Sequence, residues 1–194
     1  MSTLKTTYLQ HPSSGSPNLT LAADGSVSGG AGLGGLVHIH TEEFTAVSSV
    51  SIDDVFDATY DNYLLFISGT TTGAPGTDMR IRMRSLGSDN SSSTYYGGCS
   101  YLNTSTIGFQ GGLNGATSGY LGDIRDVQGY AQITRMMRPF ESVFTSIIYD
   151  SETYDNRFLG YNCHNVAASF DGFTIYPSSG AITGSIAIYG YRKS

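Results

Sequence analysis

Apolar and polar residues alternate in short segments along most of the chain from Leu36 onward. In Met79–Arg84 the two methionines and the isoleucine take every second position, with an arginine after each. In 184–191, Ile186, Ile188 and Gly190 alternate in the same way with Ala187, Tyr189 and Tyr191. Because successive side chains of a strand point to opposite faces, this period of two predicts strands with one buried face.

The alternating segments are bounded by Gly, Asn, Asp and Ser, which favour turns between strands. The predicted strands are 36–41, 43–52, 62–68, 79–85, 94–102, 119–125, 129–135, 141–149, 156–164, 171–177 and 183–191. Helical periodicity is scarce, and only Ser51–Phe56 and Gln132–Met137 fit a turn or two of helix. Many short strands without intervening helices predict an all-β fold, an antiparallel sandwich of the jelly-roll type.

Residues 1–36 differ in pattern from the body, which is predicted as one β-sandwich domain over 37–194. They are rich in Ser, Thr, Gly and Pro and end in a Gly-rich linker. Their few apolar residues are too widely spaced to close a core, so we predict an extended N-terminal arm that becomes ordered on a partner. The candidate anchors of this arm are Leu4, Leu9, Leu19, Leu21 and Val27.

One segment of the arm has a strand pattern of its own. Residues 18–27 fit a strand, a turn at Asp24-Gly25 and the start of a second strand. We expect the backbone of 18–22 to be able to add a strand to an open sheet edge of a neighbouring molecule.

Composition excludes several classes of protein. The chain has 14 Tyr and 9 Phe, which argues against intrinsic disorder, although charged residues are only 13 % and Gly, Ser and Thr are abundant. The net charge of −6 disfavours nucleic-acid binding, which needs a basic face. The sequence contains no apolar run of about 18 residues, which a membrane-spanning helix would need. The N-terminus lacks the apolar stretch of a signal peptide, so we expect synthesis in a cytoplasm.

Two cysteines, Cys99 and Cys163, are too few for a disulfide framework and fit no zinc-site spacing. A single disulfide bridge between them is one alternative. The simpler interpretation is two small buried hydrophobic side chains.

The most enzyme-like feature is the trio His38, His40 and Glu42. On a regular strand the three side chains share one face, and two imidazoles with a carboxylate suit a first-row metal ion. The spacing resembles the cupin metal motif, but the acid comes earlier here and only His164 is available as the distal histidine. A polar strand face is the simpler interpretation, and we expect no bound metal and no cofactor.

Three arginines, Arg80, Arg82 and Arg84, share one face of their predicted strand. Such a row suits an anion or an acidic protein surface. The alternative, which we favour, is a row in solvent or at a subunit interface, paired with acidic neighbours such as Asp123 and Asp126.

Signatures of catalysis are missing from the sequence. It contains neither a Gly-x-Ser-x-Gly nucleophile elbow nor a Gly-x-x-x-x-Gly-Lys phosphate loop. Pairs of acidic residues such as Asp53/Asp54 and Asp150/Glu152 could suggest the two carboxylates of a glycosidase. Turn residues are the simpler interpretation of both pairs. We therefore expect a protein that is not an enzyme.

The arm and the body together resemble structural proteins of tailed bacteriophages of aquatic bacteria, cyanophages especially. The segments that carry the resemblance are Ser2–Val27, Phe44–Phe56, Tyr60–Phe66, Met79–Arg84 and Phe170–Arg192. The resemblance implies a trimeric β-sandwich displayed on the outer surface of the virion, with no catalytic residues.

Two placements on the virion follow from the resemblance. In a capsid cement protein the arm would lie on the major capsid protein and the trimer would bridge capsomers. In a tail fibre or receptor-binding tip the arm would enter a tail protein, and the sandwich would bind a host glycan or protein. Only residues 1–36 precede the body, which is short for a fibre shaft, so we favour the cement protein.

Overall fold

The computed structural model describes residues 7–10, 12–13, 15, 19–21, 23, 27–29, 35–74, 77–102, 107–123, 126–134, 142–150 and 156–192. The chain divides into two compact units, one of residues 36–191 and one of residues 1–35 with 192–194. Within the described ranges the regular structure is entirely β, and the strands pair in antiparallel sheets. The prediction of an all-β antiparallel sandwich is confirmed, and the jelly-roll connection pattern stays a prediction.

The N-terminal unit contains a sheet of three short strands. They are β1 (Tyr8–Leu9), β2 (Leu19–Leu21) and β3 (Val27–Gly29), in the order β1-β2-β3. The middle strand is paired on both sides, so its backbone cannot add to the sheet edge of a neighbour. The prediction of strand addition by 18–22 is therefore wrong. Leu4 and the expected turn at Asp24-Gly25 lie outside the described residues.

The body is built on a sheet of eight strands. They are β4 (Leu36–Val47), β6 (Tyr60–Thr71), β9 (Tyr95–Leu102), β10 (Ile107–Ala116), β12 (Asp126–Thr134), β13 (Ser142–Asp150), β14 (Asn156–His164) and β16 (Ile182–Arg192). Their order in the sheet is β10-β9-β14-β13-β12-β6-β16-β4.

A sheet of five strands forms the second layer of the body. It comprises β5 (Val50–Ile52), β7 (Asp78–Ser85), β8 (Ser88–Asp89), β11 (Gly119–Asp123) and β15 (Gly172–Pro177). The strand order is β11-β7-β15-β5, and β8 pairs with β7 as a short hairpin.

The core consists of the inward positions that alternation predicts. On β7, Met79, Ile81 and Met83 are buried, while the intervening arginines lie on the other face. On β16, Ile186 and Ile188 are buried, and Tyr189 and Tyr191, which follow them, are partly exposed. Burial of one face per sheet is what the period of two requires.

Four local predictions differ from the structure. No strand was expected at Ile107–Ala116, which forms β10 although it is rich in glycine. A break was expected at residue 42, but β4 continues through it to Val47. The helical turn expected at Ser51–Phe56 is absent, since Ser51 lies in β5 and Asp54 has a left-handed φ of 57°. In the second expected helical turn, 132–134 belong to β12 and 135–137 lie outside the described residues.

Candidate functional site

A β-bulge in β4 separates the three residues considered as metal ligands. His40 is opposite Ile188 on β16 and His38 is opposite Tyr189, so Ile39 is an extra residue between the two pairs. A bulge adds one residue to one strand and reverses the alternation beyond it. The expectation that His38, His40 and Glu42 share one face is therefore wrong for His38.

Contacts of the two histidines reflect this separation. The Nε2 atom of His38 is 2.8 Å from the Oγ1 atom of Thr41, and the His38 ring meets the Tyr189 ring edge-on at 5.3 Å. On the other face the Nε2 atom of His40 is 3.1 Å from the Oε2 atom of Glu42. Within the described ranges no three His, Cys, Asp or Glu side chains are grouped so that they could hold a metal ion.

His164 has the environment of a core histidine. Its side chain is fully buried, with its Nε2 atom 2.9 Å from the Oγ1 atom of Thr94. The rings of Tyr95 and Phe170 meet it edge-on at 4.8 and 4.9 Å. Burial among these rings disfavours the charged imidazolium and lowers the pKa of His164 below its ordinary value. A neutral packing role fits this position better than that of a distal metal ligand.

The predicted arginine row lies on the outer face of the five-stranded sheet, and Arg84, at one end of the row, makes the most ionic contacts. The Nε atom of Arg84 donates to one carboxylate oxygen of Asp53 at 2.7 Å, and its Nη2 atom donates to the other at 3.2 Å. Its Nη1 atom also donates to Asp89, and only 11 % of the side chain is exposed. Paired donation of this kind fixes both the position and the orientation of a guanidinium group.

The other two arginines are also partnered. Arg80 donates to Asp78 at 2.8 Å, and the guanidinium group of Arg82 lies 4.7 Å above the ring of Tyr176. Arg82 also donates to the carbonyl oxygen of Thr117 at 3.1 Å. The row is thus neutralised by aspartates 53, 78 and 89, and we conclude that it is an ionic network with little charge left for an anion. Acidic partners were expected, but the side chains of Asp123 and Asp126 lie outside the described part.

The network also holds the tip of the β7–β8 hairpin, a feature that sequence analysis missed. Leu86 at this tip has a φ of 52° and is 91 % exposed. Its backbone N–H donates to the Oδ2 atom of Asp171 at 2.9 Å, and Arg84 donates to the carbonyl oxygen of Gly87. Gly87 was the available signal for a turn here, because glycine accepts a positive φ at no steric cost.

Cys99 and Cys163 lie on neighbouring strands of the eight-stranded sheet but are not opposite one another. Cys99 is across from Gly160 and is buried, and Cys163 is across from Tyr96 and is half-buried. They form no disulfide with each other.

No protein-family model matches this chain, and no curated protein matches it. Among the residues that the structure describes, no helix is long and apolar enough to cross a membrane.

Proposed function

We propose that this chain is a non-enzymatic structural protein of a tailed-bacteriophage virion, and that it acts as a trimeric capsid cement protein. In this role it lies on the outer surface of the head, bound to the major capsid protein through its arm, and stabilises the head. The observation that carries the proposal is the division of the chain into a compact sandwich of residues 36–191 and a separate N-terminal unit. That division suits a body displayed on a surface and a segment that attaches it.

The small sheet of the N-terminal unit supports the anchoring role. Its register puts Leu9 opposite Leu19 and Leu21 opposite Val27, so four of the five predicted anchors occupy neighbouring positions. An apolar side chain buried on a capsid surface contributes on the order of 1–3 kcal/mol. Three arms of a trimer add avidity, because the second and third contacts are intramolecular.

The charge distribution of the body is also suited to a particle surface. The arginines of the five-stranded sheet are neutralised locally by aspartates, and the chain as a whole has a net charge of −6. Among the described residues, these arginines therefore form no free basic patch that would hold DNA or membranes nonspecifically.

Copy number per particle tests the placement. Virions of the phage that encodes this chain are purified, and the band of this protein on a quantitative gel is compared with that of the major capsid protein. A copy for every few capsid subunits supports the cement role. A few copies per particle would favour the alternative of a tail fibre or receptor-binding tip, and absence from the virion would overturn both.

A further inference from the structure

A β-bulge near the end of β10 lies next to the one asparagine of the sequence that is followed by glycine. Asn114 is opposite Tyr96, and Ala116 is opposite the next residue of β9, so Gly115 is an extra residue between the two pairs. Gly115 has a φ of 68°, in the left-handed region that glycine adopts at low cost. Because the extra residue of a bulge is left unpaired, the backbone nitrogen of Gly115 lies outside the regular pairing of β9 with β10.

The side chain of Asn114 is accessible and unrestrained. It is exposed, and it forms no hydrogen bond with any residue that the structure describes. In the described part of the sheet β10 is an edge strand, which pairs with β9 alone. Backbone at the edge of a sheet opens at a low cost in free energy, because few contacts have to be broken. The amide group of Asn114 can therefore reach the backbone nitrogen that follows it.

Three other asparagines lack this combination of features. Asn162 is buried, and its amide group bonds both the backbone N–H and the carbonyl oxygen of Tyr120. The Oδ1 atom of Asn90 accepts a hydrogen bond from the backbone N–H of Ser92. Asn165 is exposed, but the next residue is valine, whose branched side chain crowds the following backbone nitrogen. Only at position 114 do exposure, a free amide and a following glycine coincide among these four.

This arrangement permits a cyclisation within the chain. The backbone nitrogen of Gly115 loses its proton and attacks the Cγ atom of Asn114, so that a C–N bond forms and the side-chain nitrogen leaves as ammonia. Glycine favours the attack because no Cβ atom obstructs its nitrogen. Water then opens the resulting succinimide at either of its two carbonyl groups. One opening gives aspartate, and the other gives isoaspartate, in which the main chain runs through the former side chain. One water is consumed for each ammonia released, and nothing is oxidised or reduced.

We propose that Asn114 is a site of spontaneous deamidation, at which the amide is converted to aspartate and isoaspartate through a succinimide formed with Gly115. Each event adds one negative charge to a chain whose net charge is −6. Isoaspartate also lengthens the backbone of β10 just before Ala116, which is opposite the buried Tyr95. The inference is independent of the proposed function, because it depends only on the local geometry of β10.

The test follows position 114 in the folded, full-length protein. The protein is incubated at mildly alkaline pH and then digested with trypsin, which releases residues 85–125 as one peptide and residues 158–192 as another. Tandem mass spectrometry locates each amide that has become a carboxylic acid, and chromatography separates the aspartate and isoaspartate forms. We expect both forms at position 114, while Asn90 and Asn165 stay intact.

A reference sample unfolded in guanidinium chloride measures how far the fold protects the site. Incubation continues until half of this reference has reacted at position 114. We expect the folded protein to react at a rate within about tenfold of the reference, since local opening of an edge strand costs little. Asn114→Gln is the matched control, because glutamine keeps the amide but would have to close a larger ring. The Tm should fall on incubation of the wild type and stay constant in this variant.

Three results would overturn the proposal. A folded protein that reacts more than about tenfold more slowly than the reference would show that the bulge does not open the site. Aspartate without isoaspartate would mean direct hydrolysis of the amide instead of a succinimide. Equal conversion at Asn165 would show that exposure alone is sufficient, so that the glycine in the bulge is not the cause.

Discussion

At the tip of the β7–β8 hairpin, Leu86 occupies the left-handed region of backbone space, and so does Gly87 after it. Two consecutive residues with positive φ form the type I′ turn that joins tightly connected antiparallel strands. Asn or Gly normally takes the first of these positions, because the Cβ atom of most other residues comes too close to the following carbonyl oxygen there, at a cost of about 1–2 kcal/mol. The hydrogen bonds from Leu86 to Asp171 and from Arg84 to Gly87 hold the turn in place.

Replacing this leucine with a residue that tolerates the left-handed region should stabilise the protein. We expect Leu86→Asn to raise the free energy of unfolding by about 1 kcal/mol, measured by denaturant titration. Leu86→Ala is the matched control, since it removes the same exposed side chain but keeps the unfavourable backbone. If Leu86→Ala stabilises as much as Leu86→Asn, the effect comes from the exposed side chain and the strain argument is wrong.

His164 makes the stability of the fold depend on pH. Burial among Tyr95 and Phe170 lowers its pKa below the ordinary value of 6.5, so the unfolded chain takes up a proton at a higher pH than the folded chain. Protonation then favours the unfolded state, and stability is lost as the pH falls through 6.5. The stability associated with this group is fully present above that pH.

Thermal unfolding of the wild type and of His164→Gln at several pH values measures this contribution. We expect the wild-type Tm to fall between pH 7 and pH 5 more steeply than the variant Tm, because glutamine does not titrate in this range. A parallel fall of the two curves would mean that other groups cause the whole acid sensitivity.

At the scale of the element, the bulge in β4 decides whether a metal site can form. The extra residue Ile39 leaves His40 with Glu42 and turns His38 toward Tyr189. Two ligands on one face are fewer than the three or four that proteins use for a catalytic or structural zinc ion. The same residues on a regular strand would have supplied three.

Removal of metal should accordingly leave the protein unchanged. We expect no shift of Tm on adding a chelator, and no stoichiometric zinc, manganese or iron in the purified protein. His38→Ala serves as the comparison, since it removes the ligand that the bulge turns away. Metal that copurifies at one equivalent and is lost in His38→Ala would contradict this prediction.

At the scale of the whole molecule, the two compact units predict that folding and attachment are separable. Deletion of residues 1–30 removes the strands of the N-terminal unit and leaves the unit of residues 36–191 intact. The truncated protein should keep the circular dichroism spectrum and the oligomeric mass of the body. It should no longer enter particles, because the predicted apolar anchors are gone.

Incorporation is measured by mixing the full-length or truncated protein with particles that lack it and sedimenting the particles. Full-length protein provides the reference occupancy. Full occupancy by the truncated protein would show that the arm is not the anchor. Attachment would then have to involve the body, where Arg80, Arg82 and Arg84 are the first positions to substitute.

The sequence alone determined the fold class and most of the strands. Alternation at Met79–Arg84 and at Ile186–Tyr191 reports which side chains are buried, because a strand exposes its two faces to different surroundings. That relation is local, so it can be recognised without knowing which strands are neighbours. The two strands of the arm on either side of residues 22–26 were recognisable for the same reason.

Only the tertiary structure decided which segments pair. β10 begins with the apolar residues Ile107 and Phe109 but is rich in glycine, and its pairing with β9 is what makes it a strand. Arg84 donates a hydrogen bond to Asp53 from another part of the sheet. In the arm, β2 is paired with both β1 and β3, so the edges of β2 are not available to a neighbouring molecule. The bulge at Ile39 appears only in the register between β4 and β16, which separates His38 from His40. Each of these depends on which segments pair and in which register, and local alternation contains no information about either.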